Sequence, residues 1–145
     1  MPSQIKVDEI KNVAGQYEIK TNTFKGQTTA GSIAVQGEGT NTTNLQQGLT
    51  KAWGNLNSSS FGLRDSFNFA SATDHSAGTH TVTYTTAMAN TNYCVTGAGS
   101  DGRNFYVRHS QTYSTAAFKM TINERSDNSL VDADYVGFDL AGDLA

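Results

Sequence analysis

The chain has 145 residues, enough for one compact domain with an extended arm but too few for two full cores. Only 16% of its residues are charged, and a formal net charge of -3 gives no basic surface for nucleic acid or an anionic membrane. Its single cysteine, Cys94, excludes an intrachain disulfide and a multi-cysteine zinc site. The sequence shows no signal-peptide pattern and no bilayer-length apolar run, so we expect synthesis in a cytoplasm without membrane insertion.

Residues 1–47 predict an extended β arm. Short alternating segments at 5–8, 17–20 and 32–35 are separated by glycines and by links rich in threonine and asparagine. Each segment has too few apolar side chains for its own core, and a lone hairpin is marginal in water. We therefore expect several copies of the chain to cover the arm's apolar residues. These residues are Ile5, Val7, Ile10, Ile33 and Val35.

Residues 48–145 predict an antiparallel β-sandwich head. The link at 45–49 favours one helical turn that ends at Gly48. Period-two patterns predict strands at 52–56, 63–69, 79–86, 92–96, 104–108, 116–123 and 135–140. Many short strands with turns between them and a single proline are typical of a sandwich. The alternate residues His80, Val82 and Tyr84 share a face that should point to the core. The predicted interior includes Trp53, Phe67, Val82 and Tyr84.

Candidate binding residues lie in the loops and strand ends of the head. An aromatic ring beside a polar or charged side chain can hold a sugar by stacking and hydrogen bonding. This pattern predicts a binding surface that includes Tyr106, Arg108, Tyr113 and Arg103, with core packing as the alternative for Tyr113.

The remaining motifs predict no catalytic centre, cofactor or metal cluster. Residues 97–102 read G-x-G-x-x-G, but a strand-like segment follows where a dinucleotide site needs a helix, which favours a hairpin loop. The three histidines lack metal-ligand spacing, although His109 could hold an ion on the symmetry axis of a trimer. Asp132 and Asp134 lack a calcium-loop ligand series, which favours solvated surface charge.

Four blocks of the chain, at residues 51–58, 63–69, 81–88 and 92–97, resemble known sequences in the same order. The corresponding segments typically read KAWVNFNG, IRDSFNVSS, YTVNFTTAM and NYAVVG. The chain thereby resembles the C-terminal module of tail-fibre-type proteins of marine and cyanobacterial bacteriophages, over about its last two thirds. Residues 3–15 resemble the start of the same proteins, often IKVDTI followed by NAAG. Gly54 stands where the relatives have valine, so we expect a looser first head strand.

The resemblance implies a non-enzymatic virion protein, assembled in the host cytoplasm. We expect a short homotrimeric fibre whose arm attaches to the particle and whose head contacts the host surface or a neighbouring fibre. Its partners would be further copies of the chain, other proteins of the tail, baseplate or capsid, and a host glycan or protein. A structural adaptor, baseplate component or capsid-decorating knob is the alternative. A glycan depolymerase is a third hypothesis.

Overall fold

A computed structural model describes residues 22–23, 33–36 and 40–145 of the chain. The described residues form ten strands and one helical turn. In chain order these are β1 (Ala34–Gln36), β2 (Thr42–Asn44), α1 (Leu45–Gly48), β3 (Ala52–Asn57), β4 (Gly62–Phe67), β5 (Phe69–Ser76), β6 (Thr79–Tyr84), β7 (Cys94–Gly99), β8 (Asn104–Val107), β9 (Ala117–Asn123) and β10 (Val136–Ala141). Within these ranges no helix is long and apolar enough to span a membrane.

The head is the antiparallel β-sandwich that the sequence predicted. One sheet has the strand order β4-β3-β10-β7 and the other β5-β6-β9-β8, with every pair antiparallel. Strands β1 and β2 form a separate two-stranded sheet within residues 1–47, where the sequence predicts the arm. The single helical turn expected near Gly48 is present as α1.

The core lies between the two four-stranded sheets and follows their side-chain alternation. In β10 the residues Val136, Phe138 and Leu140 are buried while the residues between them are exposed, as a strand with one solvated face requires. Phe138 meets Phe69 and Phe118 of the opposite sheet edge to face, with ring centroids 5.3 and 5.8 Å apart. Aromatic packing therefore joins the two layers.

Asn68 carries the chain from one sheet to the other. It separates β4 from β5 and has a φ of 61°, in the left-handed region that asparagine tolerates better than most residues. Its side-chain oxygen accepts the Thr86 N–H at 2.7 Å, and its amide donates to the carbonyls of Lys51 and Thr86. These hydrogen bonds fix the crossing between the layers.

The crossing from β7 to β8 contains the glycine-rich motif. Gly102 and Asp101 adopt positive φ values in the turn between β7 and β8. The prediction of a loop between two strands is confirmed, but the expected hairpin is wrong, because β7 and β8 belong to different sheets.

Trp53 and Phe67 were expected in the interior, and this prediction is wrong. They are 40% and 51% exposed, whereas Val82 and Tyr84 are buried as predicted. In β3 the inward positions are those of Ala52, Gly54 and Leu56. Trp53 lies between the first two and therefore points outward. Phe67 is its register partner on β4 and shares the outer face.

The predicted arm residues divide between described and undescribed parts of the chain. Ile33 is half-buried and Val35 is exposed. Ile5, Val7 and Ile10 lie outside the described residues, so their role in trimerisation stays a prediction.

Candidate functional site

The exposed end of β8 holds two of the predicted binding residues. Tyr106 lies on this edge strand and is 48% exposed, and Arg108 follows the strand two residues later. Residues two apart in an extended strand point to the same side of the sheet, and the Arg108 N–H continues the ladder by donating to the Lys119 carbonyl. This pair, which we call the β8 end, offers a ring, a hydroxyl and a guanidinium to solvent.

Arg103 is engaged within the head. Its guanidinium pairs with the Glu124 carboxylate at 3.0 Å and also donates to the Asp101 carbonyl at 3.2 Å. It thus ties the β7–β8 crossing to the end of β9. The structure places it in a different environment from Tyr106 and Arg108, and its role in binding stays a prediction.

Tyr113 packs inside the head rather than standing free in its loop. Its ring stacks on Tyr93 with centroids 4.5 Å apart, and its hydroxyl donates to the Tyr93 carbonyl. Burial raises the pKa of Tyr113 above its usual value. The His109 ring lies 5.0 Å from the Tyr113 ring. The structure therefore realises the packing alternative that the sequence left open for Tyr113.

Among the described residues, no three histidine, cysteine, aspartate or glutamate side chains are arranged so that they could hold a metal ion. His109 is exposed beside Tyr113, and its suggested place on a trimer axis stays a prediction. Tyr106, Arg108 and His109 come within four positions of one another in sequence. The hydroxyl, guanidinium and imidazole groups of these side chains are suited to binding polar ligands.

A buried histidine cluster lies at the start of β6. His80 is fully buried, with Nδ1 3.3 Å from an Asp74 oxygen and Nε2 3.5 Å from an Asp132 oxygen. Burial lowers the pKa of His80 below its usual value, although the two carboxylates oppose the shift. The sequence predicted that His80 faces the core, but not that these aspartates meet it. We assign a structural role to this cluster, because no substrate can reach the fully buried His80 ring.

Asp132 also fixes the β5–β6 turn. Its carboxylate accepts the N–H of Gly78 at 2.7 Å, and Gly78 has a φ of 63°. The expectation of solvated surface charge is wrong for Asp132, which is half-buried and bonded, while Asp134 is exposed.

The outward side of the β4-β3-β10-β7 sheet forms a second surface, which we call the Trp53 face. One row across it runs Phe67, Trp53, Asp139 and Thr96, and the next runs Asp65, Asn55, Gly137 and Ala98. The Thr96 hydroxyl donates to the Asp139 carboxylate. The sequence could have predicted this face from the alternation of β3. If Ala52, Gly54 and Leu56 point inward, Trp53 must point outward.

No protein-family model, curated protein or solved structure matches this chain.

Proposed function

We propose that the chain is a bacteriophage virion protein, a short homotrimeric fibre with an attaching arm and a recognition head. The observation that carries the proposal is the ordered run of four sequence blocks, at residues 51–58, 63–69, 81–88 and 92–97. These blocks fall in β3, in β4 with the crossing to β5, in β6 with its following segment, and in β7 with the residues just before it. They therefore coincide with elements of one closed sandwich.

The arm supports the oligomeric part of the proposal. Its strands β1 and β2 pair antiparallel and have three residues each, and the side chains of β1 are exposed. Val35, Leu45 and Leu49 line an open groove there. A two-stranded sheet with exposed apolar side chains is not stable alone in water, so association with other copies would stabilise it.

The β8 end supports the recognition part of the proposal. Tyr106 and Arg108 project from a strand that the sandwich holds rigid, and a host glycan or protein could be held by stacking and charge-assisted hydrogen bonds. Three copies would present the same weak contact three times. Tripling a weak site raises avidity without raising the affinity of any one site.

The proposal gives the chain no catalytic role. Among the described residues, the histidine with two carboxylates close by is His80, and it is closed off from solvent. Release of new reducing ends from host envelope glycans by the purified protein would contradict this assignment.

The location of the protein in purified particles tests the proposal. Antibody labelling and electron microscopy should place it in sets of three copies at the tail. Copies spread over the capsid, or only inside the baseplate, would instead favour the decorating or adaptor role. Absence from the particles would contradict every virion role.

Host binding tests the recognition surface separately. Labelled protein carrying Tyr106→Ala with Arg108→Ala should bind host cells at least about tenfold more weakly, because stacking and charged contacts are lost together. Arg125→Ala, which removes an exposed arginine in the turn after β9, beside the start of β8 and not its end, should leave binding unchanged. If all variants bind host cells equally well, the recognition surface does not lie at the β8 end.

A further inference from the structure

We propose that copies of this chain associate through the Trp53 face, so that the head as well as the arm holds the oligomer together. The inference rests on the proposed fibre and names the surface at which its copies meet.

The first observation is an exposed aromatic pair on a rigid support. Trp53 and Phe67 are directly opposed on neighbouring strands, and both rings point away from the closed core. Directly opposed side chains in a sheet interact across the strands. They form an exposed aromatic ridge whose position is set by the register of β3 and β4. Ordered, exposed aromatic side chains of this kind are typical anchors of protein interfaces.

The second observation is the shape of the other half of the same face. Gly137 and Ala98 are register partners on β10 and β7, and Ala141 lies further along β10. A Cβ atom placed on Gly137 would meet nothing within 4 Å. The β10–β7 half is therefore a low floor at Gly137 and Ala98, with the hydrogen-bonded Thr96–Asp139 pair beside it and next to the aromatic ridge. A rotated second copy can place its ridge on the floor of the first.

The third observation is a pair of opposite charges at the rim of the face. Arg64 contacts the Asp134 carbonyl and lies 3.9 Å from the centre of the Tyr135 ring, and it forms no ion pair among the described residues. The neighbouring Asp65 carboxylate accepts only the Ser66 N–H within the described part of the chain. Both charges lie at the rim, where they can meet opposite charges of the next copy.

The fourth observation is continuity with the arm. Leu49 is exposed, and the chain runs from it through Lys51 directly into β3, where Trp53 is the second residue. The exposed apolar residues of the arm are thus followed at once by those of the head. A second copy uses the ridge, the floor, the rim charges and this continuity together, whereas a glycan stacked on Trp53 needs only the ridge.

The test uses the full chain and variants in each half of the face. Trp53→Ser and Phe67→Ser remove the ridge, and Ala98→Arg places a bulky charge on the floor without touching the core. Leu130→Ser is the matched control, since it removes an exposed apolar side chain away from the face. Light scattering over a concentration series should show that each face variant raises the dissociation constant at least about tenfold. The control should keep the wild-type value.

Chemical labelling of Cys94 provides a second test of the same surface. It is exposed on β7 opposite Ala141, two residues from Thr96, and so lies on the Trp53 face. A bulky maleimide should label the wild-type oligomer at least about tenfold more slowly than the Trp53→Ser protein, because a neighbouring copy covers the thiol. Circular dichroism of each variant identifies any that fail to fold, and Ala98→Arg provides an independent test if the serine variants do.

Retention of the wild-type mass and of slow Cys94 labelling in the folded face variants would overturn the inference. Loss of glycan binding by Trp53→Ser with an unchanged mass would also overturn it, and would assign the face to a ligand. Either failure leaves the labelling of intact particles unaffected, so the proposed virion function is tested apart from this interface.

Discussion

The ring of Phe138 lies directly over Gly54, its register partner on the neighbouring strand. A Cβ atom on Gly54 would lie 2.7 Å from Cζ of Phe138, closer than packed atoms allow. The sequence led us to expect a looser first head strand at this glycine. In the structure the Phe138 ring occupies the space where a side chain would otherwise point.

Gly54→Ala should therefore destabilise the head. Overpacking forces the Phe138 ring out of its position, at a cost of about 1–3 kcal/mol in the free energy of unfolding. Gly62→Ala is the control, because a Cβ atom there meets nothing within 4 Å. Urea unfolding of both variants checks the prediction, which fails if Gly54→Ala is as stable as Gly62→Ala.

Asp132→Ala should also destabilise the head, by about 1–3 kcal/mol. It leaves the N–H of buried Gly78 without its acceptor and removes a carboxylate from His80. Asp134→Ala, two residues along and exposed, should change the free energy of unfolding by less than about 0.5 kcal/mol. Asp132→Asn keeps an acceptor oxygen and should recover part of the loss. Thermal or urea unfolding separates the three variants, and equal stability of Asp132→Ala and Asp134→Ala would refute the role of this turn.

The free energy of unfolding should fall as the pH drops below about 6.5. Burial lowers the pKa of His80 in the folded head, so the unfolded chain binds the proton more readily. The stability that neutral His80 contributes is fully present above its pKa in the unfolded chain. It is lost as the pH falls towards the pKa of His80 in the folded head. Urea unfolding at about pH 7.5 and 5.5 measures it.

His80→Gln supplies the matched comparison for this pH effect. Its stability should change less between the two pH values, because the buried titrating group is gone, while His109→Gln should keep the wild-type dependence. An identical pH dependence in His80→Gln and the wild type would show that other groups cause the effect.

Asn68→Gly should cost about 1–3 kcal/mol although glycine accepts the positive φ at this position. The substitution removes hydrogen bonds to Thr86 and Lys51 that hold the β4–β5 crossing. Asn128 has a similar φ of 59°, and no side-chain hydrogen bond of its own is found among the described residues. Asn128→Gly should therefore be neutral within about 0.5 kcal/mol. Denaturant midpoints compare the two, and equal effects would contradict the role of the Asn68 side chain.

The sandwich could be predicted from the sequence because its central strands alternate strictly. Phe118, Met120 and Ile122 of β9 point inward at every second position, as do Val136 and Phe138 of β10. In such strands the alternation of apolar and polar residues shows which side faces the core. β5 was missed as a separate strand because its residues after Phe69 are mainly small and polar and show no period-two burial.

The outward position of the Trp53–Phe67 pair could not be predicted from residue size. Small residues, Gly54 and Ser66, occupy the opposed inward positions, so a preference for large apolar residues in the core assigns the wrong face. Asn68 adds to the error, because its positive φ breaks the alternation between Phe67 and Phe69.

Contacts between distant segments were equally hidden in the sequence. Asp74 and Asp132 lie on different elements and meet only at His80, and Arg103 meets Glu124 across the end of β9. Nothing in the local pattern marks these pairs, since only the fold brings them together. The exposed β8 end was easier to predict because Tyr106 and Arg108 are close in sequence.

The mass of the full chain in solution tests the central claim most directly. Size-exclusion chromatography with light scattering should give one species at about three times the chain mass of 15.5 kDa, because arm and Trp53 face both need neighbouring copies. A stable, folded species at 15.5 kDa across the concentration series would contradict the account.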